Sequence, residues 1–172
     1  MTAKFLPVAA ALALLSGPAL AATGPTDPQI AHIAYTAGSL DITAGKDALA
    51  HSTNPKVREF AELMIRDHQA VNDKAVALLN KLHVKPEANP TSAALSKEAA
   101  ATQQKLNLLR GDAFDRAYIA NEVAFHRTVN GALEKTLIPD AHNAELKSLL
   151  ETGLALFREH QAHAEQLEKT LK

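Results

Sequence analysis

Apolar residues recur along most of this chain at spacings of four and then three positions, the period of one face of an α-helix. One stripe runs Val57, Ala61, Met64, His68, Val71, Ala75, Leu78, Leu82. Another runs Leu146, Leu150, Gly153, Phe157, His160, Ala164, Leu167, Leu171. Strand-like alternation is almost absent, so the pattern predicts an all-α protein.

Helix start signals divide the first half of the chain. Asp27-Pro28 and Asn54-Pro55 each place an N-cap residue before a proline at the first helical position. They predict one helix from Asp27 to about His51 and a second from Pro55 to about Leu82. The segment 83–92 contains two prolines and ends the second helix.

The second half contains three further predicted helices. A short, alanine-rich helix is expected at about 93–109, before Gly111. Asp112 is expected to cap a long helix that reaches about Leu137. Residues 138–140 then form a turn, and the last helix begins at about Asn143.

Connection lengths predict how the four long helices are arranged. Short loops join the first two and the last two, so each pair forms an antiparallel hairpin. Residues 83–111 join the hairpins, and their helical part spans about 25 Å, enough to run back along the molecule. Two hairpins joined by one long connection that contains a shorter helix predict a ferritin-like four-helix bundle.

The first 21 residues have the pattern of a secretory signal peptide. A short basic start is followed by an apolar run over 5–15, a Ser-Gly-Pro turn, and small residues at Ala19 and Ala21. About 20 apolar residues are needed to span a bilayer, so this run is too short for an anchor. We expect cleavage after Ala21 and a periplasmic or secreted single domain over 22–172, with its core at about 27–171 and no membrane-spanning segment.

Composition narrows the possible chemistry. The 172 residues include 47% hydrophobic residues, which suits one domain. The net charge of −1 gives no case for binding nucleic acid or an anionic membrane. The absence of cysteine excludes disulfides, zinc–thiolate sites, iron–sulfur clusters and thiol catalysis. No nucleophile elbow, P-loop or dinucleotide-binding motif is present.

Ionisable residues interrupt every apolar stripe near its middle: Asp41, His68, Glu122, His126 and His160. Counted from the predicted hairpin turns, all five fall at a similar depth of the bundle. An ionisable side chain in an apolar seam is costly unless it is paired or bound to a metal. The pattern therefore predicts that these residues meet in one cluster.

Two interpretations of the cluster remain open. In the first, the three imidazoles and the carboxylates of Asp41 and Glu122 bind a divalent metal, and these ligand types suit Zn²⁺, Fe²⁺, Cu²⁺ or Mn²⁺. In the second, the same groups form a hydrogen-bonded network that only fixes helix register. Asp67 is expected at the surface or in a supporting contact. Tyr118 either donates to Glu122 or packs in the core, and His163 either joins the cluster or borders solvent.

Several short strings resemble a bacterial exported family, domain of unknown function 4142. They are Asp41-Ile-Thr-Ala-Gly45-Lys46, Asn54-Pro-Lys-Val-Arg-Glu-Phe-Ala61, Met64-Ile-Arg-Asp67-His68 and Phe114-Asp-Arg-Ala-Tyr118, followed by His126 and His160. The resemblance implies an exported ferritin-like bundle with a metal site by analogy. Asp41 stands where the family pattern usually has glutamate. The Glu-x-x-His pair of di-iron proteins is replaced by Glu122-x-x-x-His126, which speaks against ferroxidase chemistry.

The leading functional hypothesis is a non-enzymatic exported protein that binds a divalent metal in the cluster, for metal handling or stress tolerance. One alternative is a metal-dependent oxidoreductase, which requires an open coordination position and access for substrate. The other is a structural or partner-binding protein of the cell envelope, in which the cluster only fixes helix register.

Overall fold

Helices account for most of residues 24–171, the part of the chain that the computed structural model describes. In chain order they are α1 (Asp27–His51), α2 (Pro55–Leu82), α3 (Pro90–Leu106), α4 (Gly111–Ala132), a π-helical turn (Leu133–Leu137), α5 (Ile138–Asp140) and α6 (Ala144–Thr170). No strand occurs among these residues. The all-α prediction is confirmed, whereas the predicted signal peptide lies outside the described residues.

The first two helices begin close to the predicted residues, but Thr26 rather than Asp27 is the N-cap of α1. The backbone N–H of Thr26 donates to the side chain of Gln29, and this contact closes the first turn of α1. At the start of α2 the side chain of Asn54 accepts from the N–H of Lys56. Pro28 and Pro55 occupy the first turns, where a missing N–H costs no hydrogen bond.

Three predicted boundaries in the second half are wrong. The helix expected at 93–109 spans Pro90–Leu106, because Asn89 caps it and exchanges hydrogen bonds with Ser92. Asp112 is not a cap: α4 begins one residue earlier, at Gly111, whose φ of 55° suits glycine. The turn expected at 138–140 is helical, and the chain reverses just before Asn143, which caps α6.

The long helices pack as two pairs. α1 lies mainly against α2, and α4 lies mainly against α6. The pairs meet most extensively where α2 contacts α6, whereas α1 and α4 touch less. The shorter α3 packs on α1 and reaches α4, so it covers the seam between these two helices.

The buried apolar side chains form two clusters. One contains residues such as Phe60, Met64, Tyr118 and Ala164. The other contains residues such as Ile30, Leu133, Leu150 and Phe157. Along α2, α4 and α6 the ionisable residues lie between members of the two clusters, for example His126 between Val123 and Val129. The polar cluster thus occupies the boundary between two apolar halves.

Gly45 allows α1 to approach α2 closely. A Cβ atom at this position would lie 2.9 Å from Cγ1 of Ile65 and 3.0 Å from the carbonyl oxygen of Ala61. Because one of these neighbours is backbone, the two helices would have to move apart to accept a side chain. Gly131, in α4, offers a contrast, because a Cβ there would meet no described atom within 4 Å.

We expect the substitution Gly45→Ala to lower the free energy of unfolding by about 1–3 kcal/mol, the usual cost of overpacking. Gly131→Ala should raise it by about 0.5–1 kcal/mol, because alanine has the better helix propensity. Urea unfolding followed by circular dichroism measures both. Equal effects of the two substitutions would show that the α1–α2 contact is not tight at Gly45.

Candidate functional site

The structure brings together the five ionisable residues predicted from the sequence, and each is at most 3% exposed. Asp41 comes from α1, His68 from α2, Glu122 and His126 from α4, and His160 from α6. All four long helices therefore contribute to one buried His/Asp cluster.

Three imidazoles form the centre of the cluster. One ring nitrogen from each of His68, His126 and His160 lies within 4.8 Å of the other two. The Oδ2 atom of Asp41 lies 3.2 Å from Nε2 of His68 and 3.9 Å from Nε2 of His126. Ligand atoms around a tetrahedral ion with bonds of about 2.0–2.1 Å are separated by about 3.4 Å. Small movements of these side chains would bring their ligand atoms to this separation.

Hydrogen bonds fix the tautomers of two of the rings. Nδ1–H of His126 donates to the backbone carbonyl of Glu122 over 3.0 Å, which leaves Nε2 as the free acceptor facing Asp41. Nε2–H of His160 donates to Oδ2 of Asp67 over 3.0 Å and leaves Nδ1 free. In both rings the other nitrogen is buried and has no hydrogen-bond partner among the described residues.

Burial favours the neutral form of His68 and His126. Burial, reinforced by the neighbouring His160, lowers the pKa of His68 to about 3. Burial also lowers the pKa of His126, although the nearby Asp41 carboxylate opposes this effect. At neutral pH these imidazoles therefore carry lone pairs rather than positive charges.

The two carboxyl groups retain protons more readily than exposed ones. Burial raises the pKa of Asp41, although His126 opposes the shift. Burial, reinforced by the adjacent Asp41, raises the pKa of Glu122 well above its ordinary value. Oxygen atoms of Asp41 and Glu122 lie within 4.8 Å of each other and of a His126 nitrogen. Two carboxyls this close in an apolar interior favour holding one proton between them.

Asp67 is the one member of the network that reaches the surface. Its carboxylate accepts from His160 on one side and from Nε of Arg66 on the other, at 2.9 Å. Partial burial opposes ionisation, but these two hydrogen bonds outweigh it and lower the pKa of Asp67. Of the two roles expected for Asp67, the structure therefore shows the supporting contact.

Several nitrogens of the cluster lack hydrogen-bond partners within residues 24–171. They are Nδ1 and Nε2 of His68, Nε2 of His126 and Nδ1 of His160. Each buried polar atom left unpaired costs about 1–3 kcal/mol. One nitrogen from each of the three rings lies within 4.8 Å of the other two, an arrangement suited to a bound cation that accepts their lone pairs.

Other residues near the cluster have structural roles. Phe157 stacks on His68 at a centroid distance of 4.6 Å, a contact that sequence analysis missed although Phe157 shares a helical stripe with His160. The hydroxyl of Tyr118 has no hydrogen-bond partner among the described residues, and its ring packs near Phe60 and Phe114. His163 lies at the surface against Phe60, outside the cluster.

Two cavities reach the cluster. One, of about 530 Å³, is bordered by α1, α2, α4 and α6 and ends at Asp41, His68 and His126. The other, of about 400 Å³, lies between α3 and the α1–α4 seam and ends at Asp41 and Glu122. The two cavities therefore provide space for a small molecule next to the buried cluster.

Comparisons with known proteins agree with this fold. The family model of a domain of unknown function, DUF4142, matches residues 13–167. A solved structure of a DUF305 protein from Streptomyces coelicolor, described as secreted, gives a TM-score of 0.61 at 12% identity. The match covers 84% of this chain and 88% of that one. At this identity the likeness concerns the fold alone. No curated protein matches the sequence.

The same fold bears on membrane topology. None of the described helices combines the length and the apolar character needed to cross a bilayer.

We expect the metal-free protein to lose stability as the pH falls from about 6.5 towards 3. The unfolded chain takes up a proton on His68 near the ordinary pKa of 6.5, whereas the folded chain does so only at about 3. Each pH unit between these values should cost at most about 1.4 kcal/mol from this group. Urea unfolding at several pH values, with a chelator present, measures the slope.

The variant His68→Gln should lose this part of the pH dependence. His142→Gln, at an exposed position, is the control and should retain the wild-type slope. An unchanged slope in His68→Gln would mean that His68 is not held neutral by burial.

Proposed function

The chain belongs to the DUF4142 family, and we propose that it is an exported, non-enzymatic protein that binds a divalent transition-metal ion through four buried side chains: Asp41, His68, His126 and His160. The proximity of three buried imidazoles, with the Asp41 carboxyl group beside two of them, carries this proposal. Metal handling or tolerance of metal stress is the role that such a site would serve.

The donor set determines the class of ion. Imidazole nitrogens suit Zn²⁺, Cu²⁺ and Fe²⁺, and a carboxylate oxygen extends the range to Mn²⁺. An imidazole must be neutral to bind a metal, and the low pKa of His68 provides a neutral ring even in weak acid. The chain has no cysteine, so ions that require thiolate are not favoured.

The hydrogen bonds around the rings support a metal role over a purely structural one. Metal-binding histidines commonly donate their second N–H to a carboxylate or a backbone carbonyl. His160 donates to Asp67 and His126 donates to the carbonyl of Glu122, each leaving its other nitrogen free. A network that served only helix register would be expected to pair the inner nitrogens as well.

Glu122 has a separate part in the proposed site. It lies beside Asp41 and His126, and burial together with the adjacent Asp41 raises its pKa, which favours the protonated form. A dication bound next to the two carboxyls would favour their ionisation, so binding would release a proton. Glu122 can then serve as a further ligand.

Two broader features complete the proposal. The pairing of α1 with α2 and of α4 with α6, with α3 in the long connection, supports a ferritin-like four-helix bundle. The signal-like segment 1–21 supports export to the periplasm or beyond, with a mature domain over 22–172, and so does the description of the DUF305 protein as secreted.

Metal titration of the purified protein tests the proposed ligands. We expect about one equivalent of Zn²⁺ or Cu²⁺ to bind to the wild type, and His68→Ala and His160→Ala to weaken binding by about tenfold or more, since each removes a bound nitrogen. The matched control is His163→Ala, three positions from His160 but at the surface. Isothermal titration calorimetry gives stoichiometry and affinity.

Thermal unfolding separates the two interpretations of the cluster. A ligand that binds only the folded chain stabilises it, so a saturating metal should raise the Tm of the wild type but not of the histidine variants. If metal leaves every Tm unchanged and apolar replacements of the cluster are as stable as the wild type, the register interpretation holds instead. Stoichiometric binding that survives both substitutions would refute the assigned ligands.

We expect Asp67 to act as a positioning residue for His160. Asp67→Ala removes the acceptor that orients the ring and should weaken metal binding by about 10–100-fold. Asp67→Asn keeps an acceptor oxygen and should lose less affinity. Asp73→Asn, at an exposed position of the same helix, is the control. If Asp67→Ala lowers the stability of the metal-free protein but leaves metal affinity unchanged, Asp67 has only a structural role.

A further inference from the structure

The larger of the two cavities has a distinct outer and inner end. Near one end of the molecule it is bordered by Pro25, Gln29 and Asn89. At the inner end it is bordered by Asp41, His68, His126 and Phe157. On α1 the lining extends from Gln29 to Asp41, which corresponds to about 18 Å at the helical rise of 1.5 Å per residue. The cavity is therefore elongated along the helices.

The walls between the two ends are largely apolar. They include aliphatic side chains from α1, α4, the π-helical turn and α6, such as Ile33, Val129, Leu133, Leu146 and Leu150. Apart from Tyr35, the chargeable side chains among the described lining residues are those of Asp41, His68 and His126. The cavity thus has largely apolar sides and an inner end with a carboxyl group and two imidazoles, which is the complement of an amphiphile with a single head group.

Small residues keep this space open. Ala31, Ala34 and Ala37 on α1, Ala75 on α2 and Gly153 on α6 all border it. Protein interiors are normally packed as densely as organic crystals, with few voids larger than a water molecule. A volume of about 530 Å³ instead falls within the range of binding sites for small molecules.

We propose that this cavity binds a medium-chain fatty acid, with its alkyl chain along α1 and its carboxylate at the metal site. The placement of the head group rests on the proposed function. An extended chain of the length of dodecanoate is comparable to the lining from Gln29 to Asp41, and burial of each methylene strengthens binding by about fourfold.

The head group needs a cation at the inner end. The described lining residues include no lysine or arginine, and the carboxylate of Asp41 would repel a second carboxylate. A divalent ion held by the histidines removes this repulsion and accepts the fatty-acid oxygen as a further ligand. Binding of dodecanoate should therefore depend on the metal, whereas binding of the uncharged dodecanol should not.

Calorimetric titration of zinc-loaded and chelator-treated protein with dodecanoate and dodecanol tests the proposal. We expect dodecanoate to bind the zinc-loaded protein about tenfold or more tightly than the metal-free protein, and dodecanol to bind both forms about equally. Octanoate should bind more weakly than dodecanoate, as the methylene contribution requires.

Variants that fill the cavity provide the structural control. Ala34→Phe and Ala75→Phe, from two walls, should each weaken binding of both amphiphiles by about tenfold or more, since several methylene contacts are lost. Neither residue belongs to the metal site, so Zn²⁺ affinity should not change. Ala50→Phe, at an exposed position of α1 that does not border the cavity, should bind like the wild type. Circular dichroism establishes that each variant is folded.

The outcomes separate this inference from the proposed function. If Zn²⁺ binds as expected but neither amphiphile binds, or both filling variants bind them as tightly as the wild type, the cavity proposal is overturned and the metal site stands. Equal affinity of dodecanoate for zinc-loaded and metal-free protein would overturn the placement of the head group. If Zn²⁺ does not bind, the proposed function and the placement of the head group both fail. The cavity proposal is then tested only by whether dodecanol binds the wild type more tightly than it binds the filling variants.

Discussion

The central constraint in this protein is the cost of placing five ionisable side chains inside an apolar helical interior. A charge transferred from water into such a region is destabilising unless a partner compensates it. Burial favours the neutral form at four of these positions, because it lowers the pKa of His68 and His126 and raises that of Asp41 and Glu122. Neutral rings at His68 and His126 offer nitrogen lone pairs to the interior.

Helix packing converts this constraint into a defined site. Four long helices cross the same depth, and the polar residues of each lie between two apolar clusters. The apolar halves hold the helices in place above and below the polar layer, and Gly45 brings α1 close to α2. The rings are then oriented by groups outside the layer, namely the carbonyl of Glu122 and the carboxylate of Asp67. Packing of the apolar side chains therefore holds the helices rigidly, and the hydrogen bonds orient the imidazole rings.

Much of this arrangement is encoded in local sequence signals. Asp27-Pro28 and Asn54-Pro55 gave the correct starts of α1 and α2, and the interrupted stripes identified the five residues that meet. The cap at Asn89 was missed although Asn89-Pro90 repeats the signal of Asn54-Pro55, because Pro90 was assigned to the break that ends α2. The contact of Asp67 with His160 depends on how α2 faces α6, and the cavity depends on which small residues oppose each other across helices. Neither can be read from the period of a single helix.

The residues of the cluster are scattered along the chain from position 41 to position 160, and each long helix supplies only one or two of them. No short segment carries enough donors to hold an ion by itself, so the chelating geometry exists only after the tertiary structure has formed. Metal binding at the proposed site would therefore require all four long helices to be packed together, and an unfolded chain would not hold an ion there.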